Sequence, residues 1–252
     1  MTNVLERDDW VEAVARTLMY DFLVRGLMYP TSAMWQATRD TILPGMAELQ
    51  TTDSRLGGRL SEMVAVAAAT TDFDDARRAH GLLFPPIESQ DCPAYETAYR
   101  GTEVFQQAHI MADVAGFYRA HGVRPGGPER ERPDHITTEL TFMQFLSRKE
   151  AYALEHLGSE RAAECRATQA LFLRDHLGCW GPGMAKRMAA IASHPFYNAL
   201  GLLLEAWLEH EMQALAVEPA ELTVQPLPFP PPTSEGCGPD GHDCPAAGGC
   251  VC

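Results

Sequence analysis

Residues 198–212 read NALGLLLEAWLEHEM, and the apolar residues of this stretch decide the fold class. They recur at offsets of three, four, seven and eight, which define one broad apolar face of an α-helix: Leu200, Leu203, Leu204, Trp207 and Leu208. Glu205 and Glu209 fall elsewhere on the helix and interrupt the most apolar run of the chain, which stays below the roughly 20 apolar residues that cross a bilayer. The stretch predicts a helix packed in a core, and no transmembrane segment is expected.

Helical spacing of apolar residues extends along most of the chain. Two further stripes that we interpret as facing a core are Val11, Ala15, Leu18 and Phe22 in one helix and Val104, Ala108, Met111 and Ala115 in another. Period-two alternation, the pattern of a half-buried strand, is not convincing before residue 216. With 46% hydrophobic residues the chain has enough apolar material for a sizeable core. The sequence therefore predicts an all-α fold.

Proline and glycine divide the chain into about eight or nine predicted helices. Breaks are expected at residues 30–32, 44–45, 85–86, 124–133, 178–183 and 194–195. Beyond residue 216 the chain is dense in proline, glycine and cysteine, a composition that favours extended or disordered backbone. We therefore predict a single all-helical domain over residues 1–215 and a flexible tail over residues 216–252.

The charge balance limits the class of partner. The 34 acidic and 20 basic side chains give a net charge of −14, which repels a phosphate backbone, so nucleic acid is not an expected partner. A negative surface suits a cationic peptide, although it also serves solubility alone. The first ten residues, MTNVLERDDW, carry acids where a secretory signal needs a basic start and an apolar run. We therefore expect the chain to stay in the cytoplasm.

A first polar motif, PAYETAYRG, spans residues 93–101. If this segment is helical, Tyr95 and Tyr99 share a face with Glu96 beside them, and such a cluster is suited to cap a groove. The alternative is that both tyrosines are half-buried core residues whose hydroxyl groups find internal partners. The motif alone leaves both interpretations open.

A second motif, ERPDHITTELTFMQFL, spans residues 131–146 and places Asp134, His135 and Glu139 at a helix start. His135 and Glu139 lie one turn apart, so we expect the carboxylate to hydrogen-bond the imidazole and to favour its protonated form. The pair suits either acid–base chemistry or a structural role at the loop-to-helix junction. A structural role is favoured, because the sequence offers neither a nearby nucleophile nor a second histidine at metal-ligand spacing.

The order of these segments resembles the TorD, DmsD and NarJ family of molybdoenzyme maturation chaperones. The matching segments are GLLFPP, PAYETAY, PDHITTELTFM and DHLGCWGP followed by HPFYNALGLLLEAW. Ala94 and Thr97 depart from the proline and serine that are usual in the family's first motif. The resemblance covers roughly residues 10–212, and the cysteine-rich tail lies outside it.

The resemblance implies a single all-α domain without a cofactor and without catalytic activity. Its function would be to bind the apo catalytic subunit of a molybdenum oxidoreductase of the DMSO reductase type, at an N-terminal leader, until cofactor insertion and assembly or export. The chaperone would be a monomer or a homodimer. A twin-arginine leader has two adjacent cations beside an apolar stretch, so its receptor needs carboxylates at the rim of an apolar groove.

The resemblance also implies the residues of that client site, which face each other across the groove. Tyr95, Glu96 and Tyr99 would form one wall, Asp134, His135 and Glu139 the other, and Trp180 an apolar contact near the floor. Their mutual proximity follows from the family and not from their spacing in the sequence.

Four cysteines lie in the last sixteen residues as a C-x6-C-x5-C-x-C array: Cys237, Cys244, Cys250 and Cys252. Four thiols suit zinc or an iron–sulfur cluster. The array contains no C-x2-C pair, so a disordered tail with reduced cysteines is the alternative. If the thiols carry the activity, the chain would be a small metal- or iron–sulfur-binding redox or transfer protein with the helical body as its carrier. A third alternative is a helical enzyme that uses His135 and Glu139 as acid and base.

Overall fold

The computed structural model describes residues 4–85, 91–101, 103–124 and 131–220. Its α-helices are Val4–Leu27 (α1), Ser32–Ala37 (α2), Leu43–Ala47 (α3), Ser54–Ala69 (α4), Phe73–Leu83 (α5), Glu96–Arg100 (α6), Val104–Ala120 (α7), Ile136–His156 (α8), Ser159–Phe172 (α9), Gly178–Ile191 (α10) and Pro195–Ala214 (α11). Single π-helical turns at Thr38–Ile42 and Leu173–Leu177 join α2 to α3 and α9 to α10. No β-strand occurs in these ranges, which confirms the all-α prediction. The predicted tail lies almost wholly outside the described residues.

The long helices form the core of the fold. Helix α1 packs against α8, α8 against α9, α10 against α11, and α11 against α4. Arg16 of α1 donates to Glu150 of α8, and Asp21, further along α1, accepts from Gln144, which is earlier in α8. The two helices therefore run antiparallel. None of the helices in the described part of the chain combines the length and the apolar character that a membrane crossing requires.

Helix α11 confirms the face predicted from its sequence. Leu200, Leu203, Leu204 and Leu208 are fully buried and Trp207 is nearly so. Burial of each such side chain contributes roughly 1.5–3 kcal/mol, so this one face is a major source of stability. Gly201 brings the backbones of α10 and α11 together, since a Cβ atom there would lie 2.8 Å from the Ala185 carbonyl oxygen.

The stripe predicted for α1 is rotated in the structure. Phe22 is buried, but Ala15 and Leu18 are half-buried and Val11 is 54% exposed. The buried face runs instead through Ala13, Arg16, Tyr20 and Leu23. Apolar periodicity missed this face because a buried cation occupies its middle.

That cation belongs to a buried polar cluster that joins the first helix to the last. The Arg16 guanidinium donates to Glu211 on α11 at 2.8–3.0 Å and to Glu150 on α8 at 3.1 Å. Gln169 on α9 accepts from Arg16 at 2.8 Å and donates to Glu150 at 2.6 Å. The Tyr20 hydroxyl donates to Glu211 at 2.8 Å. We call this buried set the Arg16 cluster: Arg16, Tyr20, Ser147, Glu150, Gln169 and Glu211.

The expected core stripe on α7 is wrong. Val104 is 77% exposed, Ala108 is exposed, and Met111 and Ala115 are only half-buried. The second half of the helix enters the core, where Phe117 packs on Phe172 with ring centroids 5.4 Å apart. The first half therefore carries an apolar face that no element of the described chain covers.

Two of the expected helix breaks are also wrong. Pro44 lies in the first turn of α3, where its missing N–H is no loss. Residues 178–183 are helical throughout and include Pro182 inside α10. Gly178 and Gly181 are packing glycines: a Cβ atom at Gly178 would lie 2.4 Å from the Leu173 carbonyl oxygen of the preceding π turn. The breaks at residues 30–32 and 194–195 are confirmed, because α2 begins at Ser32 and α11 at Pro195.

Candidate functional site

A backbone bridge joins the two sequence motifs directly. The Glu96 N–H donates to the Asp134 carbonyl at 2.9 Å, and the Ile136 N–H donates to the Ala94 carbonyl at 2.8 Å. Tyr95 and His135 thus form an isolated antiparallel bridge, with their rings 5.0 Å apart. The structure therefore brings the two expected walls of the client site into contact.

Asp134 is fully buried and fastens the second motif to the first. Its Oδ2 accepts from the Thr97 hydroxyl at 2.7 Å and from the Thr97 N–H at 3.3 Å. Arg132 donates to both carboxylate oxygens at 2.9–3.0 Å, and its guanidinium lies 4.4 Å from the centre of the Tyr95 ring. The threonine that departs from the family's usual serine thus retains the hydroxyl that binds the aspartate.

His135 caps α8, and its imidazole is neutral. The Thr137 N–H and hydroxyl lie 3.3 and 2.7 Å from its Nδ1. Burial lowers the pKa of His135 to about 4. The expected charged pair of His135 and Glu139 is wrong, because the Glu139 carboxyl accepts the indole N–H of Trp180 at 3.1 Å.

Glu139 and Glu96 are two carboxyl groups with no solvent exposure. Burial, reinforced by the charge of Glu96, raises the pKa of Glu139 well above its usual range. The protonated form of Glu139 is therefore favoured, and the Glu96 carboxyl is its charged neighbour inside the fold. Glu96 also contacts Arg100 and, at 3.1–3.2 Å, Nδ1 of His176.

Two aromatic side chains, Tyr99 and Trp180, pack beneath these carboxyl groups. The Tyr99 hydroxyl donates to the Pro93 carbonyl at 2.9 Å, and its ring lies 5.4 Å from that of Trp180. Both side chains are buried. We call the assembled set the motif junction: Glu96, Thr97, Tyr99, Asp134, Glu139, His176 and Trp180.

The expected rim of carboxylates around an open groove is wrong for this conformation. Glu96, Asp134 and Glu139 are inside the protein, and Trp180 is 1% exposed. The partly exposed side chains above them are those of Tyr95, Arg100, Arg132 and His135. The outer layer of the site is therefore aromatic and cationic, and the carboxyls lie behind it.

Sequence reasoning missed three members of this arrangement: Thr97, Arg132 and His176. Each lies inside or beside a motif that was singled out. The ion pair of Glu96 with Arg100 could have been predicted from the sequence, since Arg100 follows Glu96 at the i+4 spacing of a helical ion pair. The contact of His176 with Glu96 could not be predicted from the sequence, because it depends on how the π turn at Leu173–Leu177 orients the imidazole.

The proposed metal site lies outside the described residues, as do Cys237, Cys244, Cys250 and Cys252. Across residues 4–85, 91–101, 103–124 and 131–220 no group of three or more histidine, cysteine or acidic side chains is arranged to hold a metal ion. The cysteines of these ranges, Cys92, Cys165 and Cys179, are buried, and burial raises the pKa of the Cys92 thiol to about 12.

Known proteins resemble this chain, and the family match includes both polar motifs. The family model described as nitrate reductase delta subunit matches residues 48–186, more than half of the chain. The perchlorate reductase assembly chaperone protein of Dechloromonas aromatica (strain RCB) is 28% identical over 232 residues, which cover 85% of this chain and 95% of that protein.

Two further relatives match shorter segments. The selenate reductase assembly chaperone protein of Thauera selenatis is 32% identical over 99 residues, 38% of this chain and 50% of that protein. The chlorate reductase assembly chaperone protein of Ideonella dechloratans is 32% identical over 110 residues, 44% of this chain and 55% of that protein. The family match and the motif order agree, and the chain belongs to the nitrate reductase delta subunit family of molybdoenzyme maturation chaperones.

Proposed function

We propose that this chain is an assembly chaperone for a molybdenum oxidoreductase of the DMSO reductase type. It binds the apo catalytic subunit in the cytoplasm and holds it until cofactor insertion and assembly or export. The observation that carries this proposal is the alignment with the Dechloromonas aromatica perchlorate reductase assembly chaperone protein, which spans 95% of that protein. Two shorter alignments to chaperones of other reductases point to the same function.

The geometry gives the acid–base alternative no support. A general base must reach a substrate proton and a general acid must be able to give one up. His135 is committed to capping α8, and Glu139 is buried beneath Trp180 and Glu96. The chain is therefore proposed to act by binding and not by catalysis.

The proposed client contact is the partly exposed layer that covers the motif junction. Tyr95 and His135 offer aromatic surface there, while Arg132 and Arg100 lie over Asp134 and Glu96. A leader with adjacent arginines carries the same guanidinium groups, so it can compete for these carboxylates when Arg132 and Arg100 move outward. Tyr99, Glu139 and Trp180 would then position the layer from below.

Co-purification from the source organism tests this function. The tagged chain is captured from cells grown with and without molybdate, and the bound proteins are identified by mass spectrometry. We expect the catalytic subunit of a molybdoenzyme, enriched in the molybdate-starved cells, where it lacks its cofactor. Recovery of no molybdoenzyme subunit under either condition contradicts the proposal.

A matched pair of variants tests the client contact. Tyr95→Ala removes the ring beneath Arg132 but keeps the backbone bridge, and Tyr152→Ala removes a ring that is 55% exposed on α8. We expect Tyr95→Ala to reduce capture roughly tenfold, the effect of losing one well-packed aromatic contact, and Tyr152→Ala to leave capture unchanged. Equal capture by both variants would remove Tyr95 from the contact.

Metal binding by the C-terminal cysteines is a separate proposal. Four thiols within sixteen residues can wrap zinc or an iron–sulfur cluster without help from the helices. Anaerobically purified full-length protein should then contain stoichiometric zinc or iron, and protein ending at residue 220 should contain none. Full-length protein without metal overturns this proposal, and with it the alternative of a metal-transfer protein.

A further inference from the structure

The chain turns sharply just after the last helix. Ala216, the second residue after α11, has a φ of 51°, a left-handed conformation that is costly for a residue with a Cβ atom. Two backbone hydrogen bonds hold the turn: the Ala216 N–H donates to the Gln213 carbonyl at 3.1 Å, and the Val217 N–H donates to the Met212 carbonyl at 2.8 Å. Strain of this kind persists only where the surrounding structure holds it, so the direction in which the chain leaves α11 is fixed.

After this turn the chain runs to the second π turn, Leu173–Leu177. Val217 packs against the hydrophobic core. The Ala220 N–H donates to the Arg174 carbonyl at 2.9 Å, and the Cys179 thiol donates to the same carbonyl at 3.1 Å. The last described residue is therefore fastened to the π turn, and the rest of the tail begins there.

This starting point lies beside the partly exposed layer that covers the motif junction. We call that layer the client contact: Tyr95, Arg100, Arg132 and His135. Asp175, which follows Arg174, accepts a hydrogen bond from the Arg100 guanidinium at its carbonyl oxygen. Two hydrogen bonds and one residue of backbone thus separate Ala220 from Arg100, a distance of about 10 Å or less. The other end of the five-residue helix α6 adjoins Tyr95, roughly 7.5 Å further on.

The sequence that starts here is apolar and uncharged. Residues 222–232 read LTVQPLPFPPP, and we call them the proline segment. Prolines at this density are incompatible with a helix and favour an extended polyproline conformation of about 3.1 Å per residue. Ten residues after Ala220 therefore reach about 30 Å, enough to cross the client contact. Extended proline-rich segments bind to aromatic surfaces, and the client contact offers the rings of Tyr95 and His135, 5.0 Å apart.

We infer that the proline segment docks on Tyr95 and His135 and takes the place of the apolar stretch of a client leader. The segment carries no cation, so Arg100 and Arg132 keep their ion pairs with the buried carboxylates while it is bound. A leader with adjacent arginines brings both an apolar stretch and cations, so it displaces the segment and the two arginines together. This inference rests on the proposed function and adds a competitor that the chain itself supplies.

The short tether makes weak docking sufficient. A segment that begins about 10 Å from its surface has a local concentration on the order of millimolar there. With a local concentration of about 1 mM and a docking constant of about 0.25 mM, the segment weakens binding of a competing peptide about fivefold. The client contact is thus covered when no client is present, and it remains open to a ligand of higher affinity.

Photo-crosslinking in the full-length chain tests where the segment docks. The cross-linking amino acid p-benzoylphenylalanine replaces Phe229 in the proline segment, and it replaces Ala247 near the end of the chain in a control protein. The irradiated protein is digested, and linked peptides are identified by mass spectrometry. We expect position 229 to link to residues 92–100 or 131–138, and position 247 to link to neither.

Three results of this experiment overturn the inference. Links from position 229 to residues 104–111 place the segment on the exposed face of α7. Links that join two chains make it a contact between copies. If position 229 gives no link within the described part of the chain, the segment leaves the client contact uncovered.

A binding assay tests the competition. The probe is a fluorescent peptide with two adjacent arginines followed by an apolar stretch, and its binding to full-length protein is measured by anisotropy. The triple variant Leu222→Ser, Leu227→Ser and Phe229→Ser removes apolar side chains but keeps the length and the prolines of the segment. We expect it to bind the probe about fivefold more tightly than the wild type does.

A second triple variant is the matched control, because it makes the same kind of change at the far end of the tail: Ala246→Ser, Ala247→Ser and Val251→Ser. It should bind the probe like the wild type, and all three proteins should melt at the same temperature. Equal binding of the probe by all three proteins overturns the inference and leaves the proposed function standing. If none of them binds the probe while position 229 still links to residues 92–100, the segment docks as inferred and the proposed client contact fails.

Discussion

The Arg16 cluster and the motif junction are both buried and polar, but they are built with opposite charge arrangements. In the Arg16 cluster a fully buried cation lies at the centre, and two carboxylates, an amide and a phenol surround it. In the motif junction three buried carboxyls lie at the centre, and the cations Arg100 and Arg132 lie at the partly exposed edge.

The two sites also differ in how completely their polar atoms are paired. The buried side-chain nitrogen and oxygen atoms of the Arg16 cluster all have hydrogen-bond partners. In the motif junction, Oε1 of Glu139 and Nε2 of His176 are buried and have no hydrogen-bond partner among the described residues. The buried cation of the Arg16 cluster cannot move away, so this cluster holds the helices together. The cations of the motif junction lie at the surface, so cations of a bound partner can replace them.

The largest expected effect comes from removing the central cation. Arg16→Met leaves Glu211 buried without its positive partner and Glu150 with only Arg166, and such a loss costs about 3–5 kcal/mol of unfolding free energy. Arg166→Ala is the matched control, because Arg166 reaches Glu150 from a half-exposed position. Urea unfolding measures both variants. A loss below about 1 kcal/mol for Arg16→Met would show that the cluster does not hold the helices together.

The second-largest expected effect is that acidification weakens the helix cap which His135 forms beside the motif junction. The pKa of His135 is about 4 in the folded chain and near 6.5 when unfolded, so the unfolded state binds the proton first as the pH falls. His135 contributes its full stability above pH 6.5, and roughly 3 kcal/mol is lost by pH 4. His135→Asn keeps an N-cap acceptor without a titrating group and should lose less. Parallel unfolding curves for both proteins across this range would contradict the assignment.

Removing the buried aspartate should have a smaller effect than losing Arg16. Asp134→Ala deprives the Thr97 hydroxyl of its acceptor, but the freed Arg132 can turn to water, so we expect a loss of about 2 kcal/mol. Client capture should fall by more than this stability loss explains, because Asp134 also orients Arg132 over Tyr95. Melting temperature and client capture are measured on the same preparations of wild type and variant. If capture falls only as much as the loss of stability explains, Asp134 has a purely structural role.

The smallest expected effect is a gain in stability from replacing Glu139 by glutamine. Because the raised pKa of Glu139 favours the protonated form in the folded chain, its contribution is fully present below the unfolded pKa of about 4.5 and is lost as pH rises towards the folded value. Glu139→Gln keeps the acceptor for Trp180 without that loss, so it should raise the melting temperature by about 2–4 °C at pH 8. At pH 5 the two proteins should melt together. A variant that melts lower at pH 8 would show that the charged form of Glu139 is needed.

The fold was largely predictable because most of its helices bury a face of apolar residues at helical spacing. The α11 face was predicted correctly since each of its large residues is apolar and all of them face the core. The α1 face was missed because Arg16 lies in its middle and its two carboxylate partners, Glu150 and Glu211, are distant in the sequence. Gly178 and Gly181 suggest helix breaks in the sequence, because the groups against which they pack, the Leu173 carbonyl and the Leu208 side chain, are evident only in the folded chain.

Part of the membership of the candidate site was predictable, but three of its members and its geometry were not. The motifs named seven residues that the structure gathers around one backbone bridge. Their resemblance to a family carried that grouping, since residues 95 and 135 have no helical or strand relation in the sequence. Burial of the carboxyls was not predictable, because it depends on cover by Arg100 and Arg132 and on the approach of His176 from the π turn.

The bond between Arg16 and Glu211 also sets the time at which the newly made chain can finish folding. The two residues are 195 positions apart. At synthesis rates of roughly 5–20 residues per second, α1 emerges from the ribosome about 10–40 s before Glu211 exists to receive its arginine. During that interval the buried face of α1, with Tyr20 and Leu23, has no final partner and is exposed to other nascent chains. A protein proposed to protect unfinished enzymes is thus, for part of a minute of its own synthesis, an unfinished protein that needs protection.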